Sequence, residues 1–238
     1  MSKNKVLVLG SKPEAFIPKE NFCKIYTANG AAERVAEIIK TNQGCQHICV
    51  VGAREFLGNQ NVSSRIIKSN PSKVYIRGGF LNNDDFYPAK CEIINTSNNE
   101  QLKFQTKFLK FGFLDIVFGE SNYKIDFFSK LKHLLKISIG SKKFQGISTG
   151  FYAMLLAFYE NKSSEIYVAG IGMSGGKQYY KNERNEILDY TPRSRVDRYV
   201  VTRLKKNIIN KFITSDKELS EVSKIKLDEQ NKQVITKS

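Results

Sequence analysis

The residues with the clearest chemical use are Gly146-Ile147-Ser148-Thr149-Gly150, which stand just before the apolar stretch 151–157. A small, hydroxyl-rich approach to a helix leaves backbone N–H groups unbonded at the positive end of the helix dipole. Such a start can hold a phosphate or a carboxylate. Ser148 and Thr149 suit plain N-capping equally well, and that reading stays open beside the anion site. Three further candidates end short apolar runs: Gly10-Ser11 after 6–9, Asn29-Gly30 after 24–28, and Gly170-Ile171 after 165–169. Asn-Gly is also an ordinary turn, so Asn29 carries both meanings.

The elements that position these residues follow from the pattern of apolar runs. Segments 6–9, 24–28, 47–51, 73–76 and 165–169 are short, continuous and closed by glycine or a glycine-containing turn, as buried parallel strands are. A helix is predicted over 31–40, with Val35, Ile38 and Ile39 at helical spacing, and another over 150–160. Strand, glycine turn and helix in repetition predict an α/β fold: a single open, mostly parallel sheet with flanking helices. Ligands of such sheets sit beyond the carboxyl ends of the strands, where the three candidates fall.

Segment 123–139 is expected to form one or two amphipathic helices, with Phe127, Phe128, Leu131, Leu134 and Leu135 on the apolar side. Residues 172–195 read as a long lid loop, 196–210 as a helix and 211–214 as a last strand. One domain over 1–215 results, followed by a charged tail, 216–238, that is frayed or disordered.

The chain has 238 residues, 41% of them hydrophobic, and a net charge of +15. No apolar run reaches the length of a membrane span, and the start is too short for a signal peptide, so a cytoplasmic protein is expected. Cys45, His47 and Cys49 lack a second ligand pair, and the four cysteines read as inert core thiols with no metal. The charge favours acidic partners. Arg-Gly repeats, zinc-finger spacing and an aromatic-basic sheet signature are missing, which argues against nucleic acid. An anionic membrane surface or an anionic acceptor remains, beside the plain reading of a lysine-rich solvated surface. Residues 101–145 alone carry nine lysines against three acids.

Ile147-Ser148-Thr149-Gly150, its helix and the strand Ile166-Tyr167-Val168-Ala169-Gly170-Ile171 together resemble the small sialylmotif of sialyltransferases. Val6-Leu7-Val8-Leu9-Gly10-Ser11-Lys12-Pro13 is similar to that family's opening strand and turn. Tyr26-Thr27-Ala28-Asn29 is similar to its second strand, which ends in a donor-binding asparagine. The resemblance is to the bacterial enzymes that use CMP-activated nonulosonic acids or Kdo, and it spans about residues 5–215.

That resemblance implies a Rossmann-like, GT-A-variant fold and an inverting, metal-independent glycosyltransferase without a cofactor. The donor would be a CMP-activated acidic sugar and the acceptor a glycan or glycolipid of lipopolysaccharide or capsule, reached at the inner membrane. It implies Gly10 and Ser11 at the donor phosphate and Asn29 at the nucleotide or phosphate. Ser148, Thr149 and Gly150 would hold the donor carboxylate or phosphate, and Gly170-Ile171 would border the cytidine. Tyr179 and Tyr180 would meet the leaving phosphate, although they read equally well as lid packing.

Two positions depart from the family. Lys12 stands where a small residue is usual, crowding the turn or offering a cation. Arg195 stands where the family's histidine base is expected, and an arginine cannot accept that proton. His47 and His133 read as structural or surface residues. Asp197 is the favoured base. The alternatives are Asp189, an anion-binding Arg195 with another base, or lost catalysis. The rival of another class is a non-catalytic nucleotide- or nucleic-acid-binding α/β protein. A methyltransferase fits less well, because Gly10-Ser11-Lys12 lacks a glycine-rich turn and no acid ends the second strand.

Overall fold

The computed structural model describes residues 4–13, 15–41, 44–86, 90–121, 126–139, 146–173 and 192–228. Eight strands form one sheet: β1 (Lys5–Leu9), β2 (Lys24–Ala28), β3 (Gln46–Gly52), β4 (Lys73–Arg77), β5 (Glu92–Thr96), β6 (Glu165–Ala169), β7 (Phe212–Thr214) and β8 (Lys226–Leu227). The helices are α1 (Val35–Thr41), α2 (Ala53–Gly58), α3 (Gln60–Lys68), α4 (Asn98–Thr106) and α5 (Phe113–Ser121). After them come α6 (Phe127–Ser138), α7 (Thr149–Glu160), α8 (Pro192–Val201), α9 (Lys206–Ile209) and α10 (Lys217–Ser223).

Every strand pair is parallel, in the order β5-β4-β3-β2-β1-β6-β7-β8. This is a Rossmann-like α/β fold. The central strands are apolar on both faces because helices cover both. Val6, Val8, Tyr26, Ile48 and Val50 pack against α7, in one cluster with Ile116 of α5 and Val196 and Val200 of α8. Leu7, Leu9 and Ile25 face Ala31, Val35 and Ile38 on the other side, and Cys49, Val51, Val74 and Ile76 there meet Phe56, Val62 and Ile66. From β1 to β5 the chain steps outward in one direction. The long β5-to-β6 connection then returns it to the other side of β1. The two directions part between β1 and β6, which is the topological switch point.

Helix α7 is apolar around most of its circumference and correspondingly deep, with Thr149 and 151–157 buried. Its far end is fastened by Glu160, whose carboxylate accepts from the hydroxyls of Tyr26 in β2 and Tyr75 in β4. Burial is the main cause that raises both tyrosine hydroxyls above their usual range, and the adjacent Glu160 adds to it. So anchored, α7 runs back across the sheet and brings its N-terminus to the carboxyl edge, within contact of the turn after β6.

Several expectations change. The stretch 216–228 is not a tail: Asp216 caps α10, and β8 extends the sheet beside β7. The last residues of the expected lid, 192–195, belong to α8, while 174–191, with Tyr179, Tyr180 and Asp189, lie outside the described residues. The apolar side expected on 127–135 forms, and its Phe127, Phe128, Leu131 and Leu135 are exposed. Among the described residues no helix is long and apolar enough to cross a membrane.

Candidate functional site at the carboxyl edge of the sheet

At the switch point the β1 and β6 turns interlock. Gly10 N–H donates to the Ala169 carbonyl at 2.8 Å, and Lys12 N–H donates to the Gly170 carbonyl at 3.0 Å. A Cβ on Gly10 would lie 2.1 Å from the Gly170 oxygen, so only glycine lets the two backbones approach this closely. Gly170 also needs to be glycine: its φ is +70°, and a Cβ there would meet that of Ala15 at 2.7 Å. Ser11 is half-buried beside this junction.

The Ser148 loop joins the same edge. Ser148 caps α7, its Oγ accepting from Phe151 N–H at 3.2 Å, while its carbonyl accepts from Tyr152 N–H at 2.9 Å. The N–H groups of Thr149 and Gly150 are the remaining donors of the helix's first turn. Gly150 faces the Ile171 side chain, with 3.6 Å from its would-be Cβ to that side chain. Asn29 begins a 3-10 turn after β2 at φ +53°, a conformation asparagine tolerates better than most residues.

Two groups that the sequence reading passed over hold this loop in place. Arg77, the last residue of β4, is 9% exposed. Its Nη2 donates to the Ile147 carbonyl at 2.9 Å, its Nη1 to Thr149 Oγ1 at 3.3 Å, and its Nε to Gln101 Oε1 at 2.9 Å. The guanidinium also stacks on the Tyr152 ring, 4.5 Å from its centroid. Burial raises the Tyr152 hydroxyl, and the Arg77 charge opposes part of that rise. Glu120 of α5, 3% exposed, accepts from Gly146 N–H at 2.9 Å and lies 3.7 Å from His133 Nε2 of α6. One signal for Arg77 was its position between an apolar run and Gly78-Gly79, at a strand's carboxyl end.

Asp197 of α8 is 1% exposed, and its Oδ1 accepts from Ser148 N–H at 2.9 Å. Arg195 is half-buried two residues earlier, about half a turn round the helix. Of the two histidines, neither lies at the surface: His47 is buried against Thr27, and burial lowers its pKa to about 4. Burial also pushes the Cys45 thiol to about 11 and Cys49 to about 12, which keeps both protonated. Among the described residues, no group of three His, Cys, Asp or Glu side chains is arranged around a shared centre.

No protein-family model, curated protein or solved structure matches this chain. The site is therefore read from its own geometry.

A cavity of about 440 Å³ opens on the β7 side of the junction, lined by Lys12, Phe16 and Gly170 and by Ser215, Asp216 and Glu218 at the start of α10. Lys12 reaches across its mouth to Asp216, 3.0 Å from Nζ to Oδ2. Arg198 fastens α8 to α10 through Glu218 at 2.6 Å. The turns after β1, β6 and β7 and the loop before α7 thus converge on one edge, with backbone donors, hydroxyls and a lysine. The backbone donors and hydroxyls suit an anionic ligand, while the cavity itself sets Asp216, Glu218 and Glu221 against Lys12 and Lys217.

Proposed function

We propose that the chain is an inverting, metal-independent transferase that moves an ulosonic acid, a sialic acid or a relative, from its CMP conjugate to a glycan acceptor. The reading rests on the convergence at the switch point: the Gly10–Gly170 junction beside an α7 N-terminus capped by Ser148 and braced by Arg77 and Asp197. An ulosonate donor carries a carboxylate and a phosphate diester close together. The N–H groups of Thr149 and Gly150, with the Thr149 hydroxyl, take one anion, and the Ser11 turn takes the other, with Lys12 exchanging its Asp216 partner for it. In the reaction an acceptor hydroxyl attacks the anomeric carbon, the bond from that carbon to the phosphate oxygen breaks, CMP leaves with the electron pair, and the hydroxyl proton passes to the departing phosphate or to water. Fixed N–H and hydroxyl donors around the phosphate stabilise the charge that develops there, which is work a metal does elsewhere.

Asp197 bears on a second reading. A carboxylate 1% exposed and already bound to Ser148 N–H positions the donor loop before it can serve as a base. This favours a nucleotide-binding protein without turnover as the rival. One assay separates them: CMP release from CMP-sialic acid and CMP-Kdo in the presence of EDTA, alongside the melting shift with CMP. Release supports the transferase. A CMP-dependent shift without release, with any acceptor offered, supports the binder. Neither release nor shift rejects both.

A further inference from the structure

Helix α6 turns its apolar side away from the protein. Phe127 is 72% exposed, Phe128 80%, Leu131 44% and Leu135 56%, and Ile139, just past the helix, is 75% exposed. At about 100° per residue these five lie within about 120° of arc, a continuous stripe along one side of the helix. The attachment to the body lies on the other side. His133, 4% exposed, meets Glu120 there, so the stripe is not what holds α6 in place. The neighbouring α5 exposes Leu114 and Phe118 as well, four residues apart.

Charge frames the stripe. Lys130, Lys132 and Lys136 are the only charged side chains in α6 apart from any charge on His133, and no acid occurs between 127 and 138. Lys132 and Lys136 are exposed and border the apolar arc. Apolar area of this kind rimmed by charge marks an interaction surface. A helix with aromatic and aliphatic residues on one side and lysines beside them has the form of one lying in a lipid interface.

We propose that α6, with the exposed side of α5, docks this protein on an anionic lipid bilayer. Phe127, Phe128, Leu131, Leu135 and Ile139 enter the boundary of the acyl chains, and Lys132 and Lys136 face lipid phosphates. Charge decides for a bilayer over a second copy of the chain. A symmetric contact through this face would set the same lysines against each other in a molecule already at +15. The inference stands independently of the transferase reading.

The test is flotation with phosphatidylcholine vesicles and with vesicles containing about 30% phosphatidylglycerol, using the full chain. Wild type is expected to float with the anionic vesicles and to stay behind with the neutral ones. The double substitution Phe127→Ser, Phe128→Ser removes exposed side chains, so its melting temperature should hold while the partition coefficient falls at least about tenfold. Lys132→Glu with Lys136→Glu should lower it by at least about twentyfold, since each lysine near such a surface contributes about fivefold. The chain has no tryptophan, so Phe128→Trp introduces a single indole whose emission should shift to the blue on vesicle binding. Equal binding by wild type and the Phe-to-Ser variant would overturn the proposal and assign the affinity to diffuse charge. So would an indole emission that vesicles leave unchanged, or a wild-type dimer that the Phe-to-Ser variant dissolves.

Discussion

Replacing Arg77 with alanine should loosen the approach to α7 more than any other single side-chain truncation at the carboxyl edge. Two of its bonds are short, 2.9 Å to the Ile147 carbonyl and 2.9 Å to Gln101 Oε1, and charge-assisted bonds contribute about 1.5–3 kcal/mol each. Stacking on Tyr152 adds about 0.5–2 kcal/mol. Against this, the variant no longer buries a charge, which returns part of the total. A net loss of about 3 kcal/mol is the reasonable middle, equivalent to a drop of about 6–12 °C in melting temperature for a chain of this size. Arg77→Lys should not restore it, because an ammonium cannot reach Ile147, Thr149 and Gln101 at once. Urea unfolding measures the loss, and amide exchange locates it: Ser148 to Phe151 should exchange faster in the variant while β1 and β6 keep their protection. A loss below about 1 kcal/mol, or faster exchange spread evenly over the sheet, would refute the claim that this guanidinium holds the loop.

Gly10→Ala should cost about 3 kcal/mol or more, since the new Cβ would meet only backbone, at 2.1 Å and 2.6 Å from Gly170; unchanged urea stability would contradict the interlock. His47 is neutral in the folded protein down to about pH 4 and titrates at its usual value once unfolded. The unfolded chain therefore binds the extra proton first, so stability should fall as pH drops from about 6.5 to about 4, by about 3 kcal/mol in total. His47→Gln should flatten that part of the stability-versus-pH curve. For the thiols, Cys23 is exposed and Cys49 fully buried with its thiol raised to about 12. A thiol reagent should modify Cys23 in the native protein and reach Cys49 only on unfolding; mass spectrometry of the labelled peptides reads the order.

The strands at the centre of the sheet were legible because burial on both faces writes them as unbroken apolar runs, Val6 to Leu9 being the clearest. The edge strand β5 was not: its sequence, Glu-Ile-Ile-Asn-Thr, is half-exposed and mixes polar with apolar residues. Helix α4 has a capping box of Ser97 and Glu100 but almost no apolar side, so periodicity could not find it. In α6 the apolar stripe was legible from its helical spacing, and the structure leaves it exposed. Periodicity reports that a helix has two sides and says nothing about which one meets the protein. At the site, local signals carried Ser148 as a cap and Gly10 and Gly170 as strand ends. Arg77 was missed because its partners are 24 to 72 residues away, and Asp197 reaches Ser148 across 49. Pairings of that range belong to the topology and leave no spacing to read.

The proposed site for the cytidine monophosphate part of the donor is the edge formed by Gly10 to Lys12, Ser148 to Phe151 and Gly170-Ile171. Amide hydrogen exchange with and without saturating CMP tests it most directly. Slowed exchange is expected at Ser11, Lys12, Thr149, Gly150 and Ile171, with the amino-terminal ends of the strands unchanged. Protection confined to other segments, or none at millimolar CMP, would contradict it.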